Sequence, residues 1–212
     1  MKLVVLSTEA LQKELLTQGV GNGFELEWQS DIKNMEEADG YIDLLFTNSA
    51  ERIDKLKQLP AGPAGQPATI IVNAVNTTLD ELPAGFIRFN GWNSFLKNPL
   101  LEAAGAAADK EKAENIFSCF NKKIEWVPDI PGFITPRVIC MIINEAYFTL
   151  EEKVSTKEEI DTAMKSGTNY PYGPFEWSTI IGLKNVFHLL TILAQTNSRY
   201  TPSALLQKEA QL

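Results

Sequence analysis

Apolar residues along this chain follow two rhythms, and one gives way to the other near residue 127. Residues 2–6 (KLVVL) and 68–72 (ATIIV) are short apolar runs rich in β-branched side chains, the pattern of strands covered on both faces. Residues 24–28 (FELEW) alternate apolar and acidic positions, as a half-covered strand does. Residues 41–46 (YIDLLF), 85–89 (GFIRF) and 123–127 (KIEWV) read as three more strands. Between them, residues 9–16 put Leu11, Leu15 and Leu16 on one helical face, and residues 50–59 are amphipathic. Residues 103–120 read as a long helix with an Ala-rich face, and 60–67 (PAGPAGQP) as a surface linker. Strands alternating with helices imply βαβ units and a parallel sheet with right-handed crossovers.

Beyond Pro131-Gly132 only helical spacing remains. Residues 135–151 carry apolar side chains at Val138, Ile139, Ile142, Ile143, Ala146, Phe148 and Leu150, a breadth that predicts a helix buried on more than one side. Ser155-Thr156-Lys157-Glu158 reads as a capping box, opening a helix that ends near Gly167. Residues 170–174 (YPYGP) are not helical, 179–195 form a further apolar helix, and 199–206 (RYTPSALL) the tail. The expected fold class is therefore α/β plus all-α. Residues 1–126 form a shortened, doubly wound parallel sheet, and residues 127–212 a helical domain.

Length and charge narrow the function. A chain of 212 residues holds one large domain or two small ones. Its net charge of −8 excludes the basic surface that nucleic acid requires. Cys119 and Cys140 are far apart and lack metal-ligand spacing, so they read as free thiols of a reducing compartment, and no metal is expected. The first residues, MKLVVLSTEALQKEL, form a strand and not a signal peptide. The apolar stretch 138–143 is far too short to cross a bilayer. A soluble cytoplasmic protein with neither nucleic-acid nor membrane partners is expected.

The helical half carries a specific series of segments. They are PGFI at 131–134, Arg137, NEA at 144–146, EEID at 158–161, AMKSG at 163–167, PYGPFE at 171–176, IGL at 181–183 and RYTPSALL at 199–206. In this order and with these gaps, residues 127–210 resemble the C-terminal helical domain of the 3-hydroxyacyl-CoA dehydrogenases, NAD-dependent enzymes that oxidise the 3-hydroxyl of an acyl-CoA. The resemblance implies a Rossmann-like NAD-binding domain followed by a helical domain of the 6-phosphogluconate dehydrogenase C-terminal-like kind. That helical domain would make most of a homodimer interface and one wall of an acyl-CoA cleft.

Several positions of the first half depart from the family pattern. A Rossmann loop G-x-G-x-x-G brings bare backbone against a pyrophosphate. The segment here is Leu6-Ser7-Thr8-Glu9-Ala10-Leu11, without glycine, so Ser7 and Thr8 stand at the cradle and Glu9 adds a negative charge. Thr8 reads as a helix N-cap. The candidates for the acid that grips the adenosine ribose are Glu27 and Asp31. Of the two acids that end the family's third strand only Asp43 is kept, with Thr47 at the other place. NAD is the implied cofactor, and this loop argues against its usual pose.

In the family an H-F-F-N-P run supplies the His that takes the hydroxyl proton, supported by a Glu twelve residues later. This chain reads Asn90-Gly91-Trp92-Asn93-Ser94, with Glu102 twelve residues after Asn90. Asn93 and Glu102 match, whereas Asn90 occupies the His position. Within 73–79 (NAVNTTL), Asn76, Thr77 and Thr78 are the candidates for a substrate-facing polar group, and Pro136 stands where the family has an Asn. The single histidine, His188, reads as a helix-face or core residue. The leading expectation is a non-catalytic relative that binds an acyl-CoA, another small molecule or a partner. The alternative is an active NAD-dependent 3-hydroxyacyl-CoA dehydrogenase with an altered cofactor loop, and a third reading uses Glu102 and Asp43 as acid and base.

Overall fold

Seven strands lie in one sheet in the computed structural model, which describes residues 1–212, the side chain of Ala64 aside. They are β1 (Lys2–Leu6), β2 (Glu25–Gln29), β3 (Gly40–Asp43), β4 (Thr69–Asn73), β5 (Phe86–Phe89), β6 (Leu100–Ala104) and β7 (Lys123–Trp126), in the spatial order β2-β1-β3-β4-β5-β6-β7. The first five are parallel, with Leu6 level with Asp43 and Val72 level with Arg88. Alternate residues serve opposite faces. Leu3, Val5, Ile42, Ile87 and Phe89 pack with α1 (Glu9–Leu15) and α3 (Lys110–Ser118), while Leu6, Val72 and Phe86 pack with α2 (Ala50–Lys57).

Two expectations about this unit are corrected. The helix read over 103–120 begins only at Lys110, and residues 100–104 are strand β6. Leu101, Ala103 and Ala104 are buried, and the two alanines pair with Phe89 and Arg88. Cross-strand pairing here overrides the helix propensity of alanine. Nor is the sheet wholly parallel. Only residues 90–99 join β5 to β6, too short a link for a parallel crossover, so β6 returns antiparallel and β7 runs alongside it.

The second unit is helical, with α4 (Thr135–Glu151), α5 (Lys157–Thr168), α6 (Pro174–Ile181), α7 (Leu183–Ala194) and α8 (Ala204–Ala210). The capping box is Thr156 with Glu159, one residue later than expected, and the left-handed cap of α5 is Asn169 in place of Gly167. The helix expected over 179–195 is two helices bent by 97° at Gly182, whose φ of +89° suits glycine. α4 buries Ile139, Cys140, Ile143, Ala146 and Tyr147 but leaves Val138 and Phe148 exposed, so its broad apolar surface is covered on one side only within the chain. Among the described residues no single helix is long and apolar enough to cross a membrane.

The PYGPFE segment has a local cause. Buried Asp161 of α5 accepts the N–H groups of Phe175 and Glu176 at 2.8 and 3.1 Å, which satisfies orphan donors in the first turn of α6. Glu176 reaches back to the Gly173 N–H at 3.0 Å, and Pro174 takes the first helical position. A Cβ on Gly173 would overlap the Asp161 carboxylate.

The two compact units divide between Phe133 and Ile134, seven residues beyond the expected boundary at 126. Residues 127–133 stay with the sheet because hydrogen bonds hold them there. The Gly132 N–H donates to the Val75 carbonyl at 2.8 Å, and the Leu79 N–H donates to Asp129 at 2.8 Å.

Candidate functional site

The register of the β5–β6 hairpin explains the twelve-residue spacing between Asn90 and Glu102. Arg88 pairs with Ala104 and Phe89 with Ala103, so the next rung joins Asn90 to Glu102. The Asn90 N–H donates to the Glu102 carbonyl at 2.9 Å, and the side chains share a face, with Asn90 Nδ2 donating to Glu102 Oε2 at 3.3 Å. Asn90 is 3% exposed, and its Oδ1 accepts the Trp92 N–H at 3.4 Å. A hydrogen-bonded amide and carboxylate therefore stand on one face of the sheet.

Asn73 extends this polar floor. Its Oδ1 accepts the Gly91 N–H at 2.9 Å, and its Nδ2 donates to the Leu44 carbonyl at 3.3 Å, so one amide ties together the ends of β3, β4 and β5. A Cβ on Gly91 would come 2.9 Å from Asn73 and from the Phe89 ring. Glycine is required there by close approach. Asn93 is exposed in the following loop, and Asn76 is half-buried after β4. Thr78 with Glu81 forms the capping box of the short 3-10 turn Leu79–Glu81. Asp43 and Glu102 are not neighbours. β4 and β5 lie between their strands, a separation of about 14 Å at ordinary strand spacing. A direct acid–base pair of these two is thus ruled out.

Sequence reasoning missed Arg88. Its side chain is fully buried two residues before Asn90, on the same face. It donates to the Thr77 carbonyl at 2.5 Å and to the Ile130 carbonyl at 2.9 Å, lies 3.3 Å from Asp129, and stacks 4.1 Å from the Phe133 ring centroid. Burial pushes its pKa down to about 10, Asp129 pulls it back up, and the group stays charged at neutral pH. Its Nε–H has no acceptor. Arg88 thus pins the loop carrying Asn76–Thr78 to the segment before α4. The available signal was a lone arginine inside the apolar strand FIRF.

The loop from Asn90 to Pro99 is held by charges that the sequence likewise did not announce. Glu14 of α1 accepts the Ser94 N–H at 2.7 Å, and Ser94 sits at φ +74°, an uncommon conformation for a residue with a Cβ. Lys122, 2% exposed, donates to the Asn98 carbonyl at 3.0 Å. Burial lowers the Lys122 pKa to about 8, against the pull of Glu14, and raises that of Glu14.

The implied dinucleotide can be tested against the turn from β1 into α1. The Ser7 N–H donates to the Gln29 carbonyl at 2.8 Å, and its buried Oγ has no partner. Thr8 caps α1 as expected, accepting the Leu11 N–H at 3.4 Å, and Glu9 occupies the first turn. α1 has only seven residues. The Ser7 and Leu11 N–H groups are used internally, side chains stand where bare backbone is needed, and an acid lies beside them. These residues do not fit the usual diphosphate cradle.

Elsewhere, Asp43 at the end of β3 is bound by Arg52, and Glu27 and Asp31 also have basic partners. His188 is exposed on α7 and Pro136 is buried in the first turn of α4. Cys119 and Cys140 are free thiols.

Comparison with known proteins identifies relatives of this chain. Residues 132–211 match the family model described as 3-hydroxyacyl-CoA dehydrogenase, C-terminal domain. The 3-hydroxyadipyl-CoA dehydrogenase of Escherichia coli K12 is 40% identical over 93 residues, 43% of this chain and 20% of that protein. A probable 3-hydroxybutyryl-CoA dehydrogenase of Bacillus subtilis is 30% identical over 190 residues, 84% of this chain and 66% of its own length. The crystal structure of (S)-3-hydroxybutyryl-CoA dehydrogenase from Ralstonia eutropha superposes with a TM-score of 0.75 at 18% identity, covering 98% of this chain and 92% of that one, a likeness of fold. The chain spans one fifth of the E. coli relative and about two thirds of the Bacillus relative.

Proposed function

Because the chain belongs to the 3-hydroxyacyl-CoA dehydrogenase family, we propose that it is a non-catalytic member, one that binds an acyl-CoA or a related small ligand and transfers no hydride. The observation that carries this reading is the pair of Asn90 and Glu102 at 3.3 Å. The family reaction needs a base for the hydroxyl proton as hydride leaves, with a carboxylate behind it. Here the carboxylate is present, and the group it faces is an amide, which takes up no proton near neutral pH. Losing a general base alone removes a factor of about 10²–10⁴ in rate. Asn76 and exposed Asn93, around the floor set by Asn73 and Asn90, supply neutral donors and acceptors for a ligand.

The helical unit supports a homodimer as the working form. Val138 and Phe148 of α4 are exposed, and a groove of about 410 Å³ between α4 and α5 is lined by Ile142, Ala146, Val154, Ile160 and Met164. A protein surface seldom leaves such an apolar stretch open to water. Two free thiols suit the reducing cytoplasm as its setting.

The test mixes the protein with NADH and acetoacetyl-CoA and follows NADH absorbance, with acetoacetyl-CoA binding measured separately by calorimetry. The expected result is saturable binding of the thioester with no NADH consumed above the uncatalysed rate. Turnover in the ordinary enzyme range, about 1–10³ s⁻¹, would show that the protein is an active dehydrogenase.

A further inference from the structure

In a Rossmann sheet an acid near a strand end hydrogen-bonds the ribose of a dinucleotide, and the candidates for cofactor-facing acids here are Asp43, Asp31 and Glu27. In this chain each of them is already held from within. Asp43, fully buried at the end of β3, receives two parallel bonds from Arg52 of α2, at 2.7 Å from Nε and 2.6 Å from Nη2. Such a fork is the strongest geometry open to an arginine and a carboxylate. The same guanidinium lies 4.0 Å from Asp31 beyond β2, and Asp31 also pairs with Lys33 at 2.9 Å. Glu27 on β2 faces Lys2 at 3.5 Å and accepts from Gln29 Nε2 at 2.5 Å. All three candidate acids are neutralised by the chain, and the nearby Ser7 N–H and Thr8 hydroxyl are also engaged.

We infer that Arg52 closes this end of the sheet. Its guanidinium pairs with Asp43 and lies against Asp31, so these carboxylates are satisfied by the chain itself and call for no dinucleotide. A dinucleotide entering the crevice would have to part a buried, bidentate charge pair. Its phosphates would then lie near Asp43, Asp31 and Glu9, which repel them. This closure is independent of the proposed lack of turnover, which rests on Asn90.

The experiment titrates the full chain with NADH and with ADP-ribose to millimolar concentration, reading cofactor fluorescence and thermal unfolding. The expected result is no saturable fluorescence change and no shift in Tm. Arg52→Met strands the Asp43 carboxylate in the interior and is expected to lower Tm by roughly 6–12 °C. The double variant Asp43→Asn, Arg52→Met removes both charges and is expected to recover most of that loss. Where Arg52→Met alone does not fold, a folded double variant stands as the recovery. Saturable NADH binding by the wild type, an unchanged Tm in Arg52→Met, or a double variant no more stable than the single one overturns the inference. NADH bound but not oxidised would overturn the closure and leave the absence of turnover standing.

Discussion

Lys122 shows how much one side chain can be altered by its surroundings. Its amine is buried beside the Asn98 carbonyl, and its pKa falls to about 8, while an unfolded lysine holds its proton to near 10.5. Between these values the unfolded chain binds more protons than the folded one, so stability rises with pH across that window. Urea unfolding at pH 7.5, 8.5 and 9.5 is expected to show this rise, and Lys122→Met is expected to flatten it. Parallel curves for the two proteins would mean that Lys122 carries an ordinary proton. Asn90 shows the opposite case. Its side chain is buried against the Glu102 carboxylate, and an amide takes up no proton near neutral pH.

At the scale of elements, the corner between α5 and α6 is set by Gly173 and Asp161 acting together. Gly173→Ala pushes a methyl group into the carboxylate and is expected to cost about 2–4 kcal/mol. Asp161→Ala leaves the Phe175 and Glu176 N–H groups without their acceptor, an expected loss of about 1–3 kcal/mol. In the double variant the clash disappears with the carboxylate, so the combined loss is expected to fall short of the sum. A strictly additive result by urea denaturation would mean that the two residues act separately. The β5–β6 hairpin makes a similar point about spacing. The interval from Asn90 to Glu102 follows from the register that pairs Arg88 with Ala104 and Phe89 with Ala103, and it places the two side chains together whatever their chemistry.

For the whole molecule, the uncovered apolar side of α4 bears most on behaviour in solution. Val138, Phe148 and the groove reaching Val154 find no cover within the chain. Light scattering is expected to give twice the chain mass of 23.6 kDa. Val154→Lys, which puts a charge at a position 68% exposed within the helical unit, is expected to shift the population toward the single chain with little change in fold. A single-chain mass for the wild type at micromolar concentration would leave the proposed homodimer without support.

The two-part architecture was legible because strand and helix periodicities differ so plainly. A run such as KLVVL or the apolar face of 135–151 commits its backbone locally, and Thr8 announces its cap by residue type alone. The helical family signature was legible for the same reason, since Gly173, Pro174 and Glu176 act within a few residues of one another. What the linear order hid were the long-range pairings. Alanines at 103 and 104 favour a helix until β5 offers them a hydrogen-bonding edge. Arg52 and Lys122 look like ordinary surface charges, and Arg88 like a lone charge in an apolar strand, until folding brings Asp43, the Asn98 carbonyl and Asp129 to them. A buried charge is defined by its partner, and that partner is chosen by the fold.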